Sequence, residues 1–276
     1  MNKQEAISIL KEHKQEHVIK RLEALGDDAA KKLISQVAMI DWKVVESIKD
    51  KAEDKGDAKK IEPLAAVEIN DIKKNKEKYT AKGVEAIKNG KVAAVLLAGG
   101  QGTRLGLDKP KGTLNVGVNK DLFLFGQLIH NLMDVVNQTG AWVPLYIMTS
   151  DKNNKDTVEF FEEHNYFGYD KDYVKFFIQS MVPSVDYNGK LYMESTDSLA
   201  MSPNGNGGWF LSLIAAGLDK DMQHKGIEYV NVFAVDNILQ RIADPAFIGA
   251  TILAGAECGS KVVRKCEPAE KVGVMC

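Results

Sequence analysis

Gly99-Gly-Gln-Gly102, Arg104 and Lys111 bring bare backbone, a guanidinium and an ammonium into one short stretch. Glycines let a chain turn tightly and present N–H groups to an anion. Two fixed positive charges beside such a turn suit a polyphosphate, and Pro110 stiffens the approach to Lys111. Two common phosphate loops do not fit. The dinucleotide fingerprint needs a glycine where Leu105 stands, and Gly106 comes one place late. The P-loop needs glycine before its lysine and serine or threonine after it, whereas Lys111 lies between Pro110 and Gly112.

Other residue types could complete such a site. Asp236 follows the apolar run Tyr229–Val235, so its carboxylate can hold Mg²⁺ or a ribose hydroxyl, or cap a helix over Asn237–Arg241. Ser202-Pro-Asn-Gly-Asn-Gly-Gly208 precedes an apolar helix. Its glycines admit a close ligand, and Asn204 and Asn206 supply amides that read a base or a sugar, unless the stretch is a plain surface turn. Gln179 ends another apolar run and can pair with a uracil edge or satisfy a backbone group. His164-Asn-Tyr-Phe-Gly168 is a weak signal, equally compatible with a buried histidine among core aromatics. His13 and His17 have a metal-compatible spacing, but their charged neighbours favour a solvated helix face. No Ser/His/Asp or Cys/His set suggests covalent catalysis.

These loops must be positioned by strands. Val92–Ala98 is a continuous apolar run, as expected of a strand buried on both sides, and its break into glycines is abrupt. Beyond it the pattern alternates: helix at Leu122–Val136, strand at Leu145–Thr149, helix at Asp156–Glu163, strand at Val174–Ile178, helix around Phe210–Ala216, strand at Tyr229–Val235. The expected fold is α/β, Rossmann-like, with a mixed, mostly parallel sheet that binds ligands at the carboxyl ends of its strands. Residues 1–60 have helical periodicity. Ile7, Leu10, Val18, Leu22 and Leu25 mark one helix ended by Gly26. Leu33, Ile34, Val37 and Ile40 mark a second, capped by Asp27 or Asp28. The charged stretch 49–60 is the best boundary, giving a helical portion at 1–60 and a nucleotide-binding catalytic domain at 61–276. A short helix is expected near Lys82–Lys88.

The 276 residues are 45% hydrophobic and carry a formal net charge of −2, which gives no reason to invoke nucleic acid or a membrane surface. No apolar run approaches membrane-spanning length, and the start lacks a signal peptide's apolar core. Three cysteines without a C-x-x-C pair read as reduced thiols of a cytoplasmic protein. Oligomeric state has no sequence signal.

The glycine stretch with its downstream Pro-Lys resembles the signature of nucleotidyltransferases. Seven elements match in all: Leu97–Gly106, Pro110–Gly112, His164–Gly168, Asn204–Gly208, Val235–Asn237, Ala243–Pro245 and Val272-Gly273. In that order they resemble the UDP-sugar pyrophosphorylases, most closely the eukaryotic-type UDP-N-acetylglucosamine pyrophosphorylases. The resemblance implies a uridylyltransferase joining UTP to a sugar 1-phosphate with Mg²⁺. N-acetylglucosamine 1-phosphate is the leading substrate, with glucose and galactose 1-phosphates as alternatives. It implies that Leu97, Ala98, Gly99, Gly100 and Gln179 hold the uracil, and that Gly205 lies against the nucleotide. Asn206 and Gly273 would face the sugar, Asp236 the phosphates and metal, and Arg104 and Lys111 the triphosphate as catalytic cations. Members of the family continue past the position of Cys276, so the chain reads as truncated, and a nucleotide-binding fragment with little turnover is the alternative class.

Overall fold

The computed structural model describes residues 1–51, 62, 64, 66–102 and 106–275. It divides into two units: one of residues 1–61 with 181–204, the other of residues 62–180 with 205–276.

The first unit is built on four helices, α1 (Lys3–Glu12), α2 (Glu16–Ala24), α3 (Asp27–Ala38) and α4 (Trp42–Lys51). One expected helix is therefore two, because Lys14 takes the left-handed conformation (φ 57°) and breaks the run. The amide of Gln15 bridges that break by donating to the His13 and Gly189 carbonyls, at 3.0 and 2.8 Å. Neither Asp27 nor Asp28 caps α3; both sit in its first turn, and Gly26 is the N-cap residue without a side-chain bond. His13 and His17 are not a metal pair. The His13 ring stacks on Trp42 at 4.0 Å with Nδ1 3.0 Å from Glu46, and His17 Nε2 donates to the Leu191 carbonyl at 2.7 Å.

The segment 181–204, expected within the second domain, groups instead with these helices. It contains an antiparallel pair, β4 (Met181–Pro183) and β5 (Met201–Pro203), joined by an excursion that buries Leu191 and Leu199 against Leu10, Leu22 and Leu33. Short polar runs hide its period, but its apolar residues need that helical surface. The boundary stretch 52–60 lies outside the described residues.

The second unit carries a four-stranded parallel sheet of order β3-β2-β1-β6, with β1 at Val92–Leu97, β2 at Leu145–Thr149, β3 at Val174–Ile178 and β6 at Tyr229–Ala234. Strand β1 lies between β2 and β6, with Ala94 beside Leu145 and Val92 beside Tyr229. Successive side chains point to opposite faces. Val92, Ala94 and Leu96 enter one core with Phe125, Leu128 and Phe161, while Ala93 and Val95 enter another with Tyr146, Leu213 and Met222. A strand serving two cores has no polar side, which is why its sequence is uninterrupted.

The first face is covered by α6 (Lys76–Lys88), α7 (Leu124–Thr139), α8 (Asn154–Glu163) and α11 (Pro245–Leu253). The second is covered by the short helices α9 (Trp209–Ala215) and α10 (Leu218–His224). A short helix, α5 (Ile69–Lys74), precedes α6. Helices α6 and α11 meet backbone to backbone. A Cβ on Gly83 would lie 1.9 Å from the Pro245 carbonyl oxygen, and one on Gly249 would lie 1.8 Å from that of Tyr79. On the other face, Asp221 of α10 accepts from Tyr146 Oη, Lys175 Nζ and Lys225 Nζ at 2.6, 2.7 and 2.7 Å. Burial pushes its carboxyl up, but the bonds from Lys175, Lys225 and Tyr146 outweigh this and hold it well below the usual carboxylate range.

Two outcomes follow. Gly249→Ala should destabilise the fold by about 1–3 kcal/mol, since backbone rather than a movable side chain blocks the new methyl; a lowered denaturation midpoint at unchanged slope checks it. Asp221→Asn should cost about 1–2 kcal/mol at pH 7, a modest figure because both lysines are partly exposed. A depressed carboxylate stabilises above its unfolded pKa of about 3.9 and loses that effect as pH falls toward its folded value. The stability gap between the two proteins should therefore shrink below about pH 4, measured by urea unfolding across pH.

Candidate functional site

Because the sheet is parallel, the chain leaves all four strands at one edge. Ala98 follows β1, Ser150 follows β2, Gln179 follows β3 and Asp236 comes two residues after β6. Hydrogen bonds extend the sheet into these exits: the Ala98 N–H donates to Met148 at 2.8 Å and the Gln179 N–H to Thr149 at 2.7 Å.

The glycine turn closes on itself. Gly102 N–H donates to the Lys109 carbonyl at 3.0 Å, Lys111 N–H to that of Gly100 at 3.4 Å, and Gln101 bridges Pro110. Lys111 thus returns to the foot of the turn it left. Gly112 anchors it from below, since a Cβ there would lie 2.2 Å from the Phe125 ring. The Lys111 ammonium pairs with the Asp236 carboxylate, uniting two residues far apart in sequence. Asp236 caps no helix. Val235–Gln240 forms turns instead, and the following helix α11 is capped by Asp244. With its side chain 63% exposed, the carboxylate is open to solvent on the far side of the lysine.

A second cluster forms between the exits of β1 and β3. Gln179 is buried, and its Nε2 donates to the Gly205 carbonyl at 2.8 Å. Its Oε1 lies where a Cβ on Gly99 would come within 2.8 Å, so only glycine gives the amide its place. Gln179 therefore does satisfy a backbone group, and by doing so it ties Gly205 to the glycine turn. Gly205 has φ 79°, a conformation natural to glycine, and leads through the turn Asn206–Gly208 into α9. Leu97 ends β1 and Ala98 follows it, Gly100 is exposed in the turn, and Asn206 is exposed.

Two expected residues are not joined to these loops. Arg104 lies outside the described residues. Gly273 sits in the exposed stretch 256–275, which has no regular element, and no described hydrogen bond links it to the site. His164–Gly168 follows the carboxyl end of α8 and packs against the start of α7. There His164 stacks on Phe167 at 5.2 Å and packs edge-on to Phe123 at 4.8 Å, while Asn165, Tyr166 and Phe167 are all left-handed. That element is an aromatic buttress of α8. One residue escaped the sequence reading altogether. Asn153 is fully buried and bonds to the glycine turn, but an asparagine in a polar loop carries no periodic signal.

Among the described residues no group of three His, Cys, Asp or Glu side chains could hold a metal alone. A lone exposed carboxylate still fits Mg²⁺, which keeps several waters and shares its coordination with substrate phosphates. No helix among the described residues is long and apolar enough to cross a membrane.

Comparison with known proteins shows the family. Residues 14–276 match the family described as UTP–glucose-1-phosphate uridylyltransferase. The chain is 44% identical over 205 residues to mouse UDP-N-acetylhexosamine pyrophosphorylase-like protein 1, covering 72% of this chain and 40% of that protein. It is 41% identical over 211 residues to UDP-N-acetylglucosamine pyrophosphorylase of Saccharomyces cerevisiae, covering 75% and 44%. The crystal structure of the Trypanosoma brucei uridine diphosphate N-acetylglucosamine pyrophosphorylase, in complex with inhibitor, superposes with a TM-score of 0.74 at 29% identity, covering 93% of this chain and 56% of that one. The chain spans about two fifths of the length of the curated relatives it matches.

The Lys111–Asp236 pair is partly exposed and worth about 0–1 kcal/mol to the fold. Lys111→Ala and Asp236→Asn should each shift Tm by less than about 4 °C, measured by calorimetry.

Proposed function

The chain belongs to the UTP–glucose-1-phosphate uridylyltransferase family, and we propose that it carries the UTP site of a uridylyltransferase that makes a UDP-sugar. The observation that carries this is the meeting, at one edge of the sheet, of the glycine turn with Lys111 and Asp236 on one side and Gln179 with Gly205 on the other. One half has the charges for phosphates and the other has amides and close backbone for a base. N-acetylglucosamine 1-phosphate is the sugar phosphate we favour, because the curated relatives quoted above are named for UDP-N-acetylhexosamine and UDP-N-acetylglucosamine. Glucose and galactose 1-phosphates are the alternatives.

The chemistry follows from charge. A phosphate oxygen of the sugar 1-phosphate forms a bond to the α-phosphorus of UTP. The bond from that phosphorus to the bridging oxygen breaks, and pyrophosphate leaves with the electron pair. The nucleophile is already ionised, so no general base is needed. Lys111, with Arg104 as the second expected cation, offsets the repulsion between the reactants. Asp236 would hold Mg²⁺, which when bound supplies positive charge to the phosphate oxygens. For Lys111 to turn to a phosphate it must leave Asp236, whose carboxylate would then be open to hold the metal. Exposed Cys258 and Cys266, both unpaired, suit a cytoplasmic setting.

A second reading is favoured by one observation: Gly273 is exposed, and no described hydrogen bond ties it to the site. On that reading the chain binds nucleotide with little discrimination among sugars and little turnover.

Calorimetric titration with UTP, uridine, UDP-glucose and UDP-N-acetylglucosamine, beside pyrophosphate release from UTP with each sugar phosphate, separates these. Lys111→Ala should weaken UTP at least tenfold while leaving uridine within twofold, because the ammonium answers to phosphate alone. Equal loss for both ligands, or none, would sink the assignment. Where turnover is measurable, the same variant should lose about two to three decades in rate, or roughly 2–4 kcal/mol of transition-state stabilisation.

A further inference from the structure

We propose that Asn153 is the positioning residue of the glycine turn, fixing the direction in which its backbone donors face the ligand. Asn153 follows β2, and its side chain is fully buried at 0% exposure. Its Nδ2 donates to the Ala98 carbonyl at 2.9 Å and to the Gly100 carbonyl at 3.3 Å. Its Oδ1 accepts the Ser150 N–H at 2.7 Å, and its own N–H donates to the Ser150 carbonyl at 3.0 Å. Both amide hydrogens and the amide oxygen are engaged, so the side chain has one orientation. The flipped amide would set oxygen against two carbonyls.

The consequence comes from peptide geometry. In a planar trans peptide, C=O and N–H point in opposite directions. An Ala98 carbonyl turned toward Asn153 therefore turns the Gly99 N–H away from it, and the Gly100 carbonyl does the same for the Gln101 N–H. Neither N–H donates to a partner among the described residues. Asn153 thus holds two donors outward, toward the open side of a turn whose other wall is Gln179. Without it the buried Ala98 carbonyl would lose its described partner, the Gly100 carbonyl would keep only the long 3.4 Å bond from Lys111, and either peptide could rotate. Gly99 and Gly100 put no Cβ in the way of that rotation.

A merely structural residue would affect stability, whereas a positioning residue affects the turn and the ligand at constant fold. Identifying the ligand as a uridine compound rests on the function proposed above, so the experiment has one arm that needs no ligand. In that arm, amide exchange is followed by NMR at Gly102 and Lys111, whose bonds close the turn. Asn153→Asp, which keeps the shape and the Ser150 acceptor but removes the donors, should speed both at least tenfold while β1 amides stay unchanged. In the second arm, uridine affinity should fall about tenfold at pH 8 and recover on acidification to pH 5.5, as the buried carboxyl gains a proton it can donate. The parent should be flat across that range, since uridine stays neutral. Asn153→Ser, uncharged and too short to reach both carbonyls, should repeat the exchange result if the buried carboxyl prevents folding. Unchanged exchange at Gly102 and Lys111 in a folded variant overturns the proposal, as does uridine affinity within twofold of the parent at pH 8. Faster exchange in a chain that binds no uridine upholds Asn153 and overturns the uridine reading instead.

Discussion

The placement of β1 between β2 and β6, all parallel, is the constraint on which the site depends. It puts one apolar strand at the junction of two cores and sends every neighbouring exit to the same side. The glycine turn can be irregular only because both strands flanking β1 are locked in register beneath it. Lys111 and Gln179 come from different stretches of chain, yet neither needs a loop of its own to reach the turn. Lys111 returns through the bridge at Pro110, and Gln179 is delivered by the end of β3.

Glycine serves two distinct ends in this fold. At Gly205 and in the turn after β1 it supplies conformation and close approach near the proposed ligand. At Gly83, Gly112 and Gly249 it supplies nothing but space, so that backbone or a Phe125 ring can occupy the volume of a side chain. The second kind sets how tightly the layers stack, and so where the turn sits above the sheet.

Much of this could be read from residues. The strands β2 and β3 are apolar runs with the expected bounds, and β1 and β6 are each one residue shorter than their runs. A strand buried on both faces leaves a continuous signal. Asp236 and Gln179 stand out in sequence as polar groups at the ends of such runs, and Lys111 as a cation between Pro110 and Gly112 downstream of the glycines. What escaped is local and polar. The break at Lys14 depends on a left-handed residue stabilised by Gln15 contacts from a distant loop, which no helical period reveals. The grouping of 181–204 with the amino-terminal helices depends on Leu191 and Leu199, two apolar residues in a polar stretch. The cap reading of Asp236 failed because Asn237 bonds the Leu239 N–H and supports a turn where a helix was possible.

The order of strands also bears on how the chain is made. In synthesis β1, β2 and β3 emerge before β6 and α11, which complete the other edge of β1 and the groove of α6. A nascent chain that has passed β3 therefore carries an inner strand with one edge unpaired and the uncovered Gly83 side of α6. The contacts that close them span most of the second unit, and such long-range pairing is slow relative to local helix formation. Vectorial folding cannot finish this sheet piece by piece. The chain must either keep β1 from pairing with another molecule until residue 229 arrives or be shielded while it waits.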